Sequence, residues 1–272
     1  MTTLTTQNPI KLVQITDTHL YGSSSGTLLK MNTQDSMDHV VKILKENEQE
    51  IDLILATGDI AQDASIDAYK NFISTMEGLN APFRWIPGNH DSAAVMKDVA
   101  MGKDADEKSV RINNWQLAFL DTSVAGQVHG KLSQAEIDFL NDTLSAAEAD
   151  DAIQHCLVCL HHNPVKGNAG WMKDIGLQNR VQFFDTVKQY SKIKCIVYGH
   201  IHQELDFEHE VIRCLCTPST CIQFKPNVTN FALDKVNPGY RSIKLHEDGS
   251  IDTEVIRVTG YTFEADFSSG GY

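Results

Sequence analysis

An α/β fold is what the sequence predicts, on three observations. Strand-like and helix-like segments alternate through most of the chain, several strand-like segments are apolar on both faces, and everything beyond Gly199 turns to consecutive β segments. The 272 residues are 42 % hydrophobic, enough for a sizeable core. No linker-like stretch interrupts them, so one domain over residues 1–272 is expected.

The elements follow in order. Lys11 to Thr16 (KLVQIT) is a short β-rich run. Thr33 to Gln49 reads as a helix, with Met37, Val40, Val41 and Leu44 on one face and Thr33 as its N-cap. Asp52 to Thr57 (DLILAT) is nearly continuous in apolar residues, as a strand covered on both faces should be. Asp63 to Glu77 is a second helix, and Phe83 to Ile86 (FRWI) a strand. Trp115 to Leu120 is a further strand. After it, Ser133-Gln-Ala-Glu136 is a capping box opening a helix that carries Ile137, Leu140 and Leu144 on one face. Cys156 to Leu160 and Cys195 to Tyr198 are buried-type strands around a helix near Gln178 to Tyr190. From 204 to 260 the chain is mostly β, and the tail 266–272 reads as flexible.

Bulk properties narrow the function classes. A formal net charge of −13 opposes a nucleic-acid partner. The opening MTTLTTQNPIKLVQIT has no basic n-region or long apolar core, and no apolar run approaches the ~18 residues of a membrane helix. A cytoplasmic protein without a membrane partner is expected, as monomer or homodimer. Of six cysteines, five lie in or beside apolar β runs; Cys156-Leu-Val-Cys159 has zinc-knuckle spacing but sits inside a strand.

The informative feature is where the strands stop. KLVQIT ends in Asp17-Thr18-His19, DLILAT in Gly58-Asp59, and FRWIP in Gly88-Asn89-His90-Asp91. CLVCL ends in His161-His162-Asn163-Pro164, and CIVY in Gly199-His200-Ile201-His202. Strand carboxyl ends form the ligand crevice of open α/β sheets, so five such endings would gather on one rim. Carboxylate, amide and imidazole donors without thiolates suit iron, manganese or zinc in a reactive site. The donors are too many for one ion, so two are expected. Two divalent cations outweigh two aspartates and a hydroxide, leaving a site that attracts a phosphate ester and can drive its in-line displacement.

The ordered blocks D-x-H, G-D, G-N-H-D, H and G-H-x-H resemble the calcineurin-like metallophosphoesterase superfamily from about Ile15 to His202. Gly58-Asp59 alone would be a weak signal; all five in order are specific. The resemblance implies a four-layer α/β/β/α sandwich of two mixed sheets flanked by helices. QITDTHLY, LATGDIAQDASIDAYKNF, PGNHD, HGKLS, GHIHQELD, TPSTCIQFKPN and PGYRSIKLH further resemble the bacterial class III 3′,5′-cyclic AMP phosphodiesterases, over almost the whole chain. Asp91 departs from the protein phosphatase branch, which carries glutamate there.

That resemblance implies roles. Asp17, His19 and His202 would hold one metal, Asn89, His161 and His200 the other, with Asp59 bridging. His90 would be the acid at the leaving 3′ oxygen and Asp91 its orienting carboxylate. His19, Asp59, Asn89, His90, His161 and His202 would surround the phosphate. His161 and His162 compete as neighbours after a strand; the block order favours His161. Gly88 and Gly199 would supply sharp turns. Trp171, after Gly167-Asn-Ala-Gly170, is the candidate to stack on adenine or else anchors its loop, and Thr217 to Asn227 would lid the site, contact ribose, pack at an edge or form a subunit contact. The implied reaction is hydrolysis of 3′,5′-cyclic AMP to 5′-AMP by attack of a metal-bridging hydroxide. The alternatives are a broader phosphodiesterase acting on 2′,3′-cyclic nucleotides or other phosphodiesters and, in another class, a binding scaffold that has kept the fold.

Overall fold

Two mixed sheets face each other between helices, the expected α/β/β/α sandwich, in a computed structural model that describes residues 2–271. The strands of these two sheets are β1 (Thr2–Leu4), β2 (Ile10–Ile15), β3 (Leu53–Ala56), β4 (Phe83–Trp85), β5 (Ser109–Ile112) and β6 (Trp115–Phe119). They continue as β7 (His155–Cys159), β8 (Ile193–Tyr198), β9 (Leu205–His209), β10 (Ile212–Cys216), β11 (Gly239–Leu245) and β12 (Ile251–Arg257). One sheet runs β12-β11-β2-β3-β4 and the other β1-β5-β6-β7-β8-β10-β9.

Strands β2, β3 and β4 are parallel, as are β6, β7 and β8. Parallel neighbours need long crossovers. The chain makes them with α1 (Thr33–Asn47) before β3, α2 (Ile66–Glu77) before β4, α4 (Gln134–Ala149) before β7 and α5 (Arg180–Val187) before β8; α3 (Ala93–Val99) follows β4. Ile10, Leu12, Leu53, Leu55, Trp115, Leu117, Leu157, Cys159 and Val197 meet in one buried layer. The alternate residues Val13, Ile15, Ile54, Ala56, Ala118, Val158 and Ile196 pack with the helices. Successive strand side chains point to opposite faces, which is why a strand buried on both sides reads as an unbroken apolar run.

Helix starts differ in detail from the sequence expectation. The cap of α1 is Asn32, whose side chain accepts from Asp35 N–H at 2.8 Å, while Thr33 is already helical and buried. At α4, Ser133 accepts from Glu136 N–H, but the Glu136 carboxylate turns away to Asp121 N–H at 3.0 Å and to Lys108. Only half of the capping box forms, because a lysine and an unpaired N–H compete for the glutamate. In the tail, Asp266 N–H donates to the Leu29 carbonyl at 2.8 Å and its carboxylate pairs with Lys30 at 3.3 Å, so that end is tethered; Tyr272 lies outside the described residues. All six cysteines are buried free thiols. Among the described residues no helix is long and apolar enough to cross a membrane.

Candidate metal centre

The strand endings converge, but on a seam between two sheets rather than on one rim. Strands β2, β3 and β4 belong to one sheet, β7 and β8 to the other. Where their carboxyl ends meet, Gln14 Nε2 donates to Tyr198 O (3.0 Å), Thr220 N–H to Thr16 O (3.2 Å) and His161 Nδ1 to Thr57 O (2.7 Å).

Backbone conformation turns the donors inward. Asp17 (φ 53°), His19 (47°), Asp59 (49°), His200 (71°) and His202 (46°) all adopt the left-handed region. That conformation is uncommon for residues with a Cβ and costs on the order of 1–3 kcal/mol each. The neighbouring loop holds it in place: Asp17 N–H donates to Gly58 O and His19 N–H to Asp59 O, both at 2.9 Å. Gly88 and Gly199 serve through close approach more than through turn conformation. A Cβ on Gly88 would lie 2.1 Å from Asp59 Oδ1, and one on Gly199 would lie 2.6 Å from Asp17 Oδ2.

The ligating atoms can be assigned from what each ring does with its other nitrogen. His202 Nδ1 donates to Ile222 O (2.8 Å), His161 Nδ1 to Thr57 O (2.7 Å), His200 Nε2 to Ile175 O (3.0 Å) and His19 Nδ1 to Gln62 Oε1 (2.6 Å). Each neutral ring then carries a lone pair on the remaining nitrogen. The lone pairs of His19 Nε2 and His202 Nε2 face one another at 3.1 Å, with Asp17 Oδ1 3.3 Å from the latter. On the other side Asn89 Oδ1, His161 Nε2 and His200 Nδ1 are buried without a hydrogen-bond partner among the described residues. Asp59 stands between: its Oδ2 is 3.3 Å from His161 Nε2 and 3.9 Å from His19 Nε2, while its Oδ1 accepts His90 N–H at 2.9 Å. Orphaned buried polar atoms and opposed lone pairs are costly, and cations would satisfy both. The donor set fits two transition-metal ions; Asp17, His19 and His202 can meet at one point, and Asp17, Asp59 and His161 at another.

Electrostatics agree for His19 and His200, whereas His161 holds a proton against Asp59 that a bound cation would displace. Burial pulls His19 and His200 down to about 3, so both are neutral and able to ligate. Burial also pulls on His161, but the Asp59 carboxylate outweighs it and raises that ring to about 9. Burial would raise Asp59, yet the His161 charge holds it well below the usual carboxylate range. His162 is pushed well below its ordinary value by burial and by His200. Both its nitrogens are committed, Nδ1 to Thr122 Oγ1 (2.7 Å) and Nε2 to Val128 O (3.1 Å), so it packs against the His200 ring and offers no lone pair.

His90 is half-buried, its ring edge-on to His19 with centroids 5.1 Å apart. The part expected of Asp91 needs correction. Its carboxylate accepts from Gly88 N–H (2.9 Å), Ile60 N–H (3.0 Å), Ala61 N–H (2.9 Å) and Tyr69 Oη (3.1 Å). Four donors fill a carboxylate's acceptor sites. Asp91 therefore clasps the loop that carries Asn89 and His90 to the loop after Asp59, in place of standing behind the His90 imidazole. Burial and the Asp59 charge push it up to about 6.

Trp171 lies in a 3₁₀ turn, half-buried, and packs edge-on against Phe224 and Phe231 at 5.1 Å each. Phe224 in turn stacks on the His202 ring at 4.1 Å. The Thr217–Asn227 stretch is a buried underlay through Phe224, not a lid or an exposed edge: Ser219 Oγ donates to Asp17 O (2.6 Å) and Ile222 O receives His202 Nδ1. Sequence reasoning missed the parts played by Gln62, Tyr69, Ser219 and Ile222, all of which act through long-range contacts that carry no local pattern.

The family model for calcineurin-like phosphoesterases matches residues 10–204. The chain is 40 % identical over 267 residues, 98 % of this chain and 97 % of the other, to a 3′,5′-cyclic adenosine monophosphate phosphodiesterase of Pseudomonas aeruginosa. It is 36 % identical to a 3′,5′-cyclic-nucleotide phosphodiesterase of a Nostoc species, over 92 % and 93 % of the two chains. Among solved structures it resembles a dimetal phosphatase from Danio rerio, with TM-score 0.64 and 14 % identity over 93 % of this chain and all of that one.

Proposed function

The chain belongs to the calcineurin-like phosphoesterase family, and on that footing we propose that it hydrolyses 3′,5′-cyclic AMP to 5′-AMP at a two-metal centre. The observation that carries this reading is Asp59 Oδ2 placed between His161 Nε2 and His19 Nε2, with unpartnered donors on one side and opposed lone pairs on the other. Asp17, His19 and His202 would hold one ion and Asn89, His161 and His200 the second, with Asp59 between them. Iron, manganese or zinc ions held there would supply Lewis acidity for in-line attack by water and for the charge developing on the phosphate.

The protein's own groups do the rest. The seam fixes the donors through backbone hydrogen bonds, so no reorganisation is needed when the ester arrives. His90, fixed through its N–H to Asp59, delivers a proton to the leaving 3′ oxygen. Trp171, one ring removed from His202 through Phe224, takes the face of the adenine. Identity near 40 % to cyclic-nucleotide phosphodiesterases over almost the whole chain supports this substrate class.

The test is product analysis with 3′,5′-cyclic AMP, 3′,5′-cyclic GMP, 2′,3′-cyclic AMP and bis-(p-nitrophenyl) phosphate, with manganese and with chelator. Chelator-sensitive, preferential conversion of 3′,5′-cyclic AMP to 5′-AMP is expected. Equal or faster turnover of the others would make this a broad phosphodiesterase, and inactivity with no bound metal would favour a scaffold.

A further inference from the structure

Three of the four ligand imidazoles are backed by main-chain carbonyls, those of Thr57, Ile222 and Ile175. A carbonyl can only accept, so their tautomers are set whatever the neighbouring side chains are. His19 differs: its Nδ1 meets a side chain, Gln62 Oε1, at 2.6 Å. Gln62 is itself well placed, because it follows the parallel bridge between Leu20 and Ala61 and its N–H donates to Leu20 O at 2.8 Å.

An amide can present either its oxygen or its NH₂. With the oxygen towards His19, Nδ1 carries the proton and Nε2 offers a lone pair towards His202 Nε2 and Asp59. With the NH₂ group towards His19, Nδ1 must accept, the proton moves to Nε2, and the ring has nothing to give an ion. The carbonyl of Gln62 is also a neutral acceptor, so it polarises the imidazole less than a carboxylate would.

We propose that Gln62 is the positioning residue of the metal centre: its amide oxygen holds His19 in the Nδ1–H tautomer and sets how firmly the Asp17–His19–His202 side retains its ion. The inference rests on the two-metal reading above and assigns a residue outside the five donor-bearing strand endings. Gln62→Met, of similar length but without an acceptor, should weaken zinc binding at one of the two sites by roughly 10–100-fold. Gln62→Glu, which can only accept, should bind zinc at least as tightly as the unaltered protein.

The experiment is zinc titration against a chromogenic chelator for the three proteins, with ¹⁵N shifts of the histidine rings recorded on the metal-free, chelator-treated forms. His19 should show a protonated Nδ1 in the unaltered and Gln62→Glu proteins and lose that signature in Gln62→Met. Urea unfolding with chelator present checks that Gln62→Met still folds. Two unchanged zinc affinities and an unchanged His19 signature in Gln62→Met would overturn the assignment alone. An unaltered protein that takes up no zinc would remove the metal reading, and this inference with it.

Discussion

Replacing Asp91 by asparagine separates two roles for that residue, and its cost can be worked from the four bonds it accepts. With the amide oxygen in the Oδ2 position, the Ile60 and Gly88 N–H groups keep an acceptor. The amide nitrogen then faces Tyr69 Oη and Ala61 N–H. Tyrosine can turn to accept, since a phenol does both, but Ala61 N–H is left facing another donor. One unsatisfied N–H costs about 1–3 kcal/mol, and each of the two retained bonds weakens by about 1 kcal/mol when its acceptor loses charge. Relief of the burial cost and of repulsion with Asp59, which push Asp91 up to about 6, offsets about 2–3 kcal/mol of this. The expected net loss is about 1–2 kcal/mol at pH 8, where Asp91 is ionised in the unaltered protein. Asp91→Ala, which orphans three N–H groups, should cost more than Asp91→Asn. The assay is the urea midpoint by circular dichroism, paired with kcat on cyclic AMP, which should fall at least tenfold as the His90 loop loosens. If Asp91→Asn lost kcat while keeping the full midpoint, the carboxylate would be acting on His90 directly and the clasp would be wrong.

Other outcomes follow from the same geometry. Gly88→Ala would drive a methyl group to 2.1 Å from Asp59 Oδ1; it should abolish stoichiometric metal in mass-spectrometric analysis together with activity. His161→Ala should lose an ion, whereas His162→Ala should retain both while lowering the unfolding free energy by about 2–4 kcal/mol, from lost packing and the buried Thr122 and Val128 partners left behind. The reverse metal contents would exchange the roles of these neighbours. Trp171→Ala should raise KM for cyclic AMP several-fold and leave that for bis-(p-nitrophenyl) phosphate unchanged; equal effects on both would make Trp171 a loop anchor.

The strand endings were legible in the sequence because two simple signals coincide there. Doubly buried strands such as DLILAT and CIVY read as unbroken apolar runs, and the Asp, Asn or His at which each run ends cannot be absorbed by a core. The local alternation also announced α1, α2, α4 and α5, though not the short α3, and caps were settled by competition: Asn32 took the place expected of Thr33, and Glu136 left its box for Asp121 and Lys108.

Periodicity marks that a strand is covered on both faces, but cannot say which face meets the second sheet. The seam therefore belongs to the tertiary structure: β2, β3 and β4 meet β7 and β8 only once Ile10, Leu12, Leu157 and Val197 share a layer. The same is true of the choice between His161 and His162. They are chemically identical and adjacent, and Thr57 O, Thr122 Oγ1 and Val128 O, tens of residues away, decide which ring keeps a lone pair. Gln62 and the Asp91 clasp were hidden for that reason as well. What a residue is can be read locally, whereas the partner that fixes its proton is delivered by packing between segments far apart in the chain.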